Sequence, residues 1–216
     1  MNAGLRILVV DDHEVVRRGL KSILEGRAEW SVVGEAATGR EAVEKAAALR
    51  PEVVILDMSM PELNGLEATR SILRVVPEAR VLVLTQHDSE QLAVSFLQAG
   101  VQGYLVKSDA ARDLLPAVES LQQGRPFFTA RVGRMVLEGY LKGLTAGSGP
   151  PAALTPSERQ IVQLVAEGKT NKEAAVALNI AVKTVETHRA HIMRKLRLHS
   201  VSDLVRYAVR NNILQA

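Results

Sequence analysis

The feature that most constrains this chain is an alternation. Over the first 123 residues, five short runs rich in Val, Ile and Leu (6–10, 31–35, 53–57, 80–85 and 103–106) alternate with longer segments at 14–25, 40–49, 65–75, 89–98 and 110–123. The short runs are bounded by polar or turn residues and read as strands. The longer ones repeat their apolar residues near the helical period. In 14–25, Val15, Val16, Leu20, Ile23 and Leu24 form one stripe, while Arg17, Arg18 and Lys21 face away. Strict strand–helix alternation requires a parallel sheet, because each right-handed crossover lays a helix over one sheet face. The strands show no polar alternation, as expected when both faces are buried. The predicted fold is therefore α/β, a five-stranded parallel sheet with helices on both faces, which in the flavodoxin-type arrangement has strand order 2-1-3-4-5.

From Gly124 the pattern loosens and ends in Thr145-Ala146-Gly147-Ser148-Gly149-Pro150-Pro151, which cannot build a core. Residues 124–153 are predicted as a linker, with a helix over 130–142 and a flexible part at 145–153. Four helical segments follow, 156–167, 172–178, 182–196 and 201–211. The first opens with Thr155-Pro156-Ser157-Glu158, a capping box with Pro at the first helical position. A length of 216 residues suits two domains of roughly 100 to 150 residues or fewer. The expected division is 1–123, a linker, and a small all-α domain of four helices over 154–216. Charge divides in the same place: 17 Lys and Arg stand against 19 Asp and Glu in 1–149 (net −2), but 10 against 5 in 150–216 (net +5). A basic surplus confined to the short part fits a polyanionic partner there. No apolar run approaches the ~20 residues of a membrane span. The N-terminus lacks the basic flank and cleavage site of a signal peptide, so a cytoplasmic protein is expected. With no cysteine, any metal must use oxygen or histidine ligands.

Three carboxylates fall at strand ends. Asp11 and Asp12 follow the first strand and Asp57 closes the third, and in this topology those strands are neighbours at the switch point, where ligands bind. Crowded carboxylates raise one another's pKa, so a divalent cation is the natural companion. Oxygen ligands, with no His or Cys in the cluster, favour Mg²⁺. The plainer reading is that Asp11 and Asp12 cap the next helix and Asp57 merely ends a strand. Against it, Thr85 closes the fourth strand and Lys107 follows the fifth, at the same sheet edge. A phosphoryl group on Asp57 would find a cation, an ammonium and a hydroxyl for its three oxygens.

Val9-Val10-Asp11-Asp12-His13, Val54-Ile55-Leu56-Asp57-Met58-Ser59-Met60-Pro61, Thr85 and Tyr104-Leu105-Val106-Lys107 resemble the receiver domains of two-component systems, over residues 5 to 123. The resemblance implies that Asp57 accepts phosphate from a sensor histidine kinase. It implies Mg²⁺ held by Asp12, Asp57 and the Ser59 backbone carbonyl, and by Asp11 through water. Thr85 and Tyr104 take the places of a switch pair whose hydroxyl moves toward the phosphate as the ring turns inward. Ser59 and His87 stand where the family tunes phosphate lifetime. Ser108-Asp109 follows Lys107 where the family often has Pro, a variation the DNA-binding subfamily also shows.

Residues 155–212 resemble the LuxR-type (NarL/FixJ) helix-turn-helix, through Leu154-Thr155-Pro156-Ser157-Glu158-Arg159, Glu167-Gly168-Lys169-Thr170-Asn171-Lys172-Glu173-Ala174-Ala175 and Val182-Lys183-Thr184-Val185-Glu186-Thr187-His188. In the third helix, Val185, His188, Ile192 and Leu196 follow a core spacing. Lys183, Glu186, Thr187 and Ala190 are then expected to face bases, and Thr184, Arg189, Arg194, Lys195, Lys169 and Asn171 to face mainly phosphates. Glu186 suits a cytosine amino group or acts as a negative selector. Surplus apolar surface on the last helix (Val201, Leu204, Val205, Ala208, Val209) predicts a homodimer on paired half-sites.

The expectation is thus a response-regulator transcription factor. Its Asp57 phosphorylation controls binding to double-stranded DNA through dimerisation and release of the helix-turn-helix, and RNA polymerase is a possible further contact. It is not expected to be a turnover enzyme. A Mg²⁺-dependent phosphatase would need a second acid two residues beyond the nucleophile, where this chain has Ser59. A receiver whose output is protein binding would bind DNA by salt alone, ignoring sequence.

Overall fold

Strands buried on both faces organise the first of two compact units, Met1–Ala146 and Gly147–Ala216. The computed structural model describes residues 4–86, 90–129, 132–134, 154–198, 200–211 and 213–214. β1 (Leu5–Val10), β2 (Trp30–Ala36), β3 (Val53–Asp57), β4 (Arg80–Thr85) and β5 (Gly103–Val106) alternate with α1 (Glu14–Leu24), α2 (Gly39–Leu49), α3 (Gly65–Val75), α4 (Glu90–Gln98) and α5 (Ala110–Gln122). Every pairing is parallel. The two-residue period of the strands sorts them into two cores: Leu8, Val10, Val54, Leu56, Val81 and Val83 pack on one face, and Ile7, Val9, Val53, Ile55, Leu82 and Leu84 on the other.

The sheet has six strands, where the sequence pattern predicts five. Its order is β2-β1-β3-β4-β5-β6, with β6 being Phe127–Phe128, inside the segment predicted as linker. Gly124, at φ 72°, turns the chain after α5, and the Phe127 amide donates to the Gln102 carbonyl at 2.9 Å. Phe127 then packs on one core and Phe128 on the other. Two residues are too few to display a strand period, which is why the pattern hid them. Of the helix predicted over 130–142, only 132–134 lie among the described residues, and they are helical. The stretch 145–153 lies outside them, as does His87.

The second unit is α6 (Pro156–Ala166), α7 (Asn171–Leu178), α8 (Val182–Lys195) and α9 (Val201–Arg210). Thr155 with Glu158 and Thr170 with Glu173 form full capping boxes, and Ser200 caps α9. Between α7 and α8, Asn179 takes a left-handed conformation (φ 52°), one of the few side chains that tolerates it, and the Ile180 amide closes on the Ala175 carbonyl. That turn sets α8 across α7 over Leu164, Ala174, Ala175 and Val185. No helix among the described residues is long and apolar enough to cross a membrane.

One close approach shapes the loop after β3. A Cβ at Gly65 would fall 2.5 Å from the Asp57 carbonyl oxygen and 2.8 Å from the Met58 Cα. Gly65→Ala should therefore lower stability by about 1–3 kcal/mol, read as a lower urea midpoint for the first unit.

Candidate functional site

The carboxyl ends of the strands bring the expected acids together. Asp11 and Asp57 are almost wholly buried. Between them lies Lys107, the first residue of a 3₁₀ turn after β5, with Nζ 2.7 Å from Asp11 Oδ2 and 3.0 Å from Asp57 Oδ1. Asp12 is more exposed. Arg17 of α1 braces the loop from beneath, its Nη1 donating to the Asp11 carbonyl at 2.7 Å. Thr85 is fully buried at the end of β4, one residue past Leu84, which is Asp57's partner in the register; its hydroxyl lies 3.7 Å from Met58 Sδ. Tyr104 is inward and buried, edge-on to Phe96 with centroids 6.2 Å apart. Ser59 is half-buried in the loop two residues beyond Asp57.

The acidic cluster is not free of histidine, and here the sequence-based expectation is corrected. The His13 amide donates to Asp11 Oδ1 at 2.9 Å, and this turn folds the ring back so that Nδ1 lies 2.8 Å from Asp12 Oδ1. Ligand atoms of Asp11, Asp12, His13 and Asp57 all lie within 4.8 Å of one another. This donor set, mostly hard carboxylate oxygen with net negative charge, fits a divalent cation. Burial pushes the Asp57 carboxyl up to about 6; Lys107 opposes that rise, and Asp11 and Asp12 add to it. Burial alone would lower the Lys107 ammonium, but its bonds to Asp11 and Asp57 outweigh burial and raise it. The ammonium therefore stays charged in the site.

In the second unit, Lys169, Lys183, Thr184, Glu186, Thr187, Ala190 and Arg194 are exposed, while Val185 and Ile192 are buried and His188 and Leu196 half-buried. Thr187 Oγ1 donates to the Lys183 carbonyl at 2.9 Å. Three of the predicted phosphate contacts also have partners inside the protein. Arg189 Nη1 donates to Asn171 Oδ1 at 2.7 Å, and Lys195 Nζ donates to Glu158 Oε2 at 2.7 Å. Sequence reasoning found Glu158 as a cap and missed it as an ion-pair anchor, because its partners lie more than thirty residues away. Gly65 and Arg17 were missed likewise, for their roles depend on backbone atoms that no side-chain pattern reports.

A buried acidic pocket at a parallel-sheet edge, followed by a helix-turn-helix, defines a phosphorylation-type signalling receiver joined to a DNA-binding module. Residues 7–119 match the family model for the response regulator receiver domain, and residues 152–208 match that for bacterial regulatory proteins of the luxR family. The chain belongs to the response regulators with a receiver and a LuxR-type DNA-binding domain. It is 38% identical to the oxygen regulatory protein NreC of Staphylococcus epidermidis, across 98% of this chain and 100% of that one. To the transcriptional regulatory protein LiaR of Bacillus subtilis it is 36% identical, across 97% and 99%. Among solved structures it is similar to RcsB from Salmonella enterica serovar Typhimurium bound to the promoter rprA in the presence of the phosphomimetic BeF3⁻, with 27% identity, 99% of both chains covered and a TM-score of 0.63. It is also similar to a two-component response regulator RcsB–DNA complex, with 27% identity, 94% of this chain and 97% of that one covered, and a TM-score of 0.59.

Two outcomes follow from the electrostatics. Removing the ammonium that lies between the acids, by Lys107→Met, should drive the Asp57 pKa above about 6 in metal-free protein, because the ionised form loses its compensating charge. A carboxyl-carbon NMR titration that left it unchanged would contradict this. For Glu158, burial acts upward, but Lys195 and the Thr155 amide outweigh it and bring the carboxyl from 4.5 down to about 2. A lowered folded pKa contributes stability that is fully present above pH 4.5 and lost as pH falls toward 2, roughly 3 kcal/mol in all. Acid unfolding of the second unit should show this loss, and Glu158→Gln should flatten it.

Proposed function

We propose that Asp57 is the phosphoacceptor and that its phosphorylation by a sensor histidine kinase governs sequence-specific DNA binding by α8. The observation that carries this reading is Lys107, whose ammonium joins Asp11 to Asp57 at the sheet edge of a chain that ends in a LuxR-type domain. A carboxylate oxygen of Asp57 attacks the phosphoryl group, and the bond to the kinase imidazole breaks as the acyl phosphate forms. Lys107 is already within hydrogen-bond distance of Asp57, so it follows the charge onto a phosphoryl oxygen. A Mg²⁺ held by Asp11, Asp12, Asp57 and the Ser59 carbonyl would supply charge neutralisation at the same oxygens. Thr85 offers its hydroxyl to the phosphoryl group, and Tyr104 follows as the second half of the switch. The chain is a phosphoacceptor, not a turnover enzyme.

At the output end, Lys183, Glu186, Thr187 and Ala190 present the exposed face of α8 to base edges. Thr184, Arg194 and Lys169 reach phosphates. On α9, Val201 and Val209 are exposed and Val205 half-buried, an apolar stripe at four-residue steps that suits a homodimer on paired half-sites. The RcsB structures solved with DNA support the reading for α8 by likeness. Phosphorylation thus acts by dimerisation and release of the DNA-binding domain, in the cytoplasm, with any activation made by direct contact to RNA polymerase.

Mixed with Mg²⁺ and a small phosphodonor such as acetyl phosphate, the protein should dimerise and bind its DNA at least tenfold more tightly, an effect of about 1.4 kcal/mol. Asp57→Asn should abolish the response while leaving basal affinity intact. Equal affinity with and without phosphodonor, in protein shown by mass to be phosphorylated, would remove phosphate control.

A further inference from the structure

The second unit holds a buried carboxylate that capping alone does not require. Glu158 is 3% exposed. Its Oε2 accepts the Thr155 amide at 2.8 Å and the Lys195 ammonium at 2.7 Å, and its Oε1 lies 3.1 Å from His191 Nδ1. A capping box works equally well with uncharged Gln at this place. Burying a full charge instead is costly unless a cation answers it, and breaking such a pair is costlier still. Lys195 is that cation, the His191 ring lies against the other carboxylate oxygen, and both come from α8, four residues apart.

Their placement around that helix is informative. At about 100° per residue, His191 and Lys195 lie on one flank of the buried seam of Val185 and Ile192. Arg189, bonded to Asn171 of α7, lies on the opposite flank. Lys183, Thr187, Ala190 and Arg194 occupy the face directly away from the seam. Apolar contacts along a seam are non-directional and resist rolling weakly. Two polar grips on opposite flanks resist rolling in both senses.

We propose that Glu158 is a positioning residue for DNA reading. Through Lys195 and His191 it fixes the rotation of α8 about its own axis, against the Asn171–Arg189 grip on the other side. The proposal rests on the assignment of α8 as the DNA-reading helix. A roll of about 15° carries an outward side-chain tip roughly 1.5 Å, enough to break hydrogen bonds with base edges while phosphate attraction, which tolerates distance, persists. Lys195 accordingly works within the protein and not on a phosphate.

The test uses the full chain and two duplexes, one selected by the unaltered protein from a random-sequence pool and one of the same composition scrambled. Binding is measured across a salt series, at a temperature where circular dichroism shows each variant folded. Glu158→Gln and Lys195→Met should each lose roughly tenfold on the selected duplex and less than about twofold on the scrambled one, with the salt slope unchanged. Thr155→Ala, which weakens the cap but spares the ion pair, should lower the melting temperature and keep the sequence preference. Equal losses on both duplexes, or a loss of preference in Thr155→Ala that tracks its melting temperature, would overturn the positioning role. A salt slope lowered by about one in Lys195→Met would overturn it too, by making Lys195 a phosphate contact. Failure of the unaltered protein to enrich any duplex would overturn the DNA-reading assignment itself, and this proposal with it.

Discussion

Two carboxylates cannot remain ionised side by side in a dry sheet edge unless positive charge stands between them. In the first unit that charge is Lys107, touching Asp11 and Asp57 together. Much of the unit serves this arrangement. The parallel topology places β1 beside β3, which brings Asp11 to Asp57; the register of β4 and β5 delivers Thr85 and Lys107 to the same edge. Arg17 anchors the backbone that carries Asp11, and Gly65 lets the following loop fold back within van der Waals limits of Asp57. The pocket is thus poised rather than relaxed: its central acid is held above its ordinary pKa, so new positive charge relieves a cost that the fold already bears.

The second unit solves a different problem, holding a helix still while leaving its outer face bare. Capping boxes on α6 and α7 fix where those helices begin, and the left-handed Asn179 fixes how α8 departs from α7. Only Val185 and Ile192 of α8 are fully buried. Polar grips at Glu158 and Asn171 supply the directionality that so small an apolar seat lacks.

What could be read from the sequence follows the length of its periodic signals. Strand and helix limits at 53–57, 65–75, 80–85 and 103–106 agree with the structure because burial on both sheet faces, or on one helix face, repeats over enough residues to be unmistakable. Asp57, Thr85 and Lys107 were legible for the same reason: each ends or follows a strand. Phe127–Phe128 was not, since two residues show no period. His13 was not either, since its approach to Asp12 depends on the amide turn that precedes α1. Lys195 and Arg189 look like free cations in a basic segment, and only the tertiary fold shows the carboxylate and the amide that engage them.

The short sixth strand carries a mechanical consequence. In the register of β5 with β6, Tyr104 stands opposite Phe128. The chain leaving the receiver is therefore tied, by main-chain pairing, to the same stretch of backbone that holds the buried ring. Any shift of the Tyr104 backbone would be felt first at Phe127–Phe128, through the ladder that joins them.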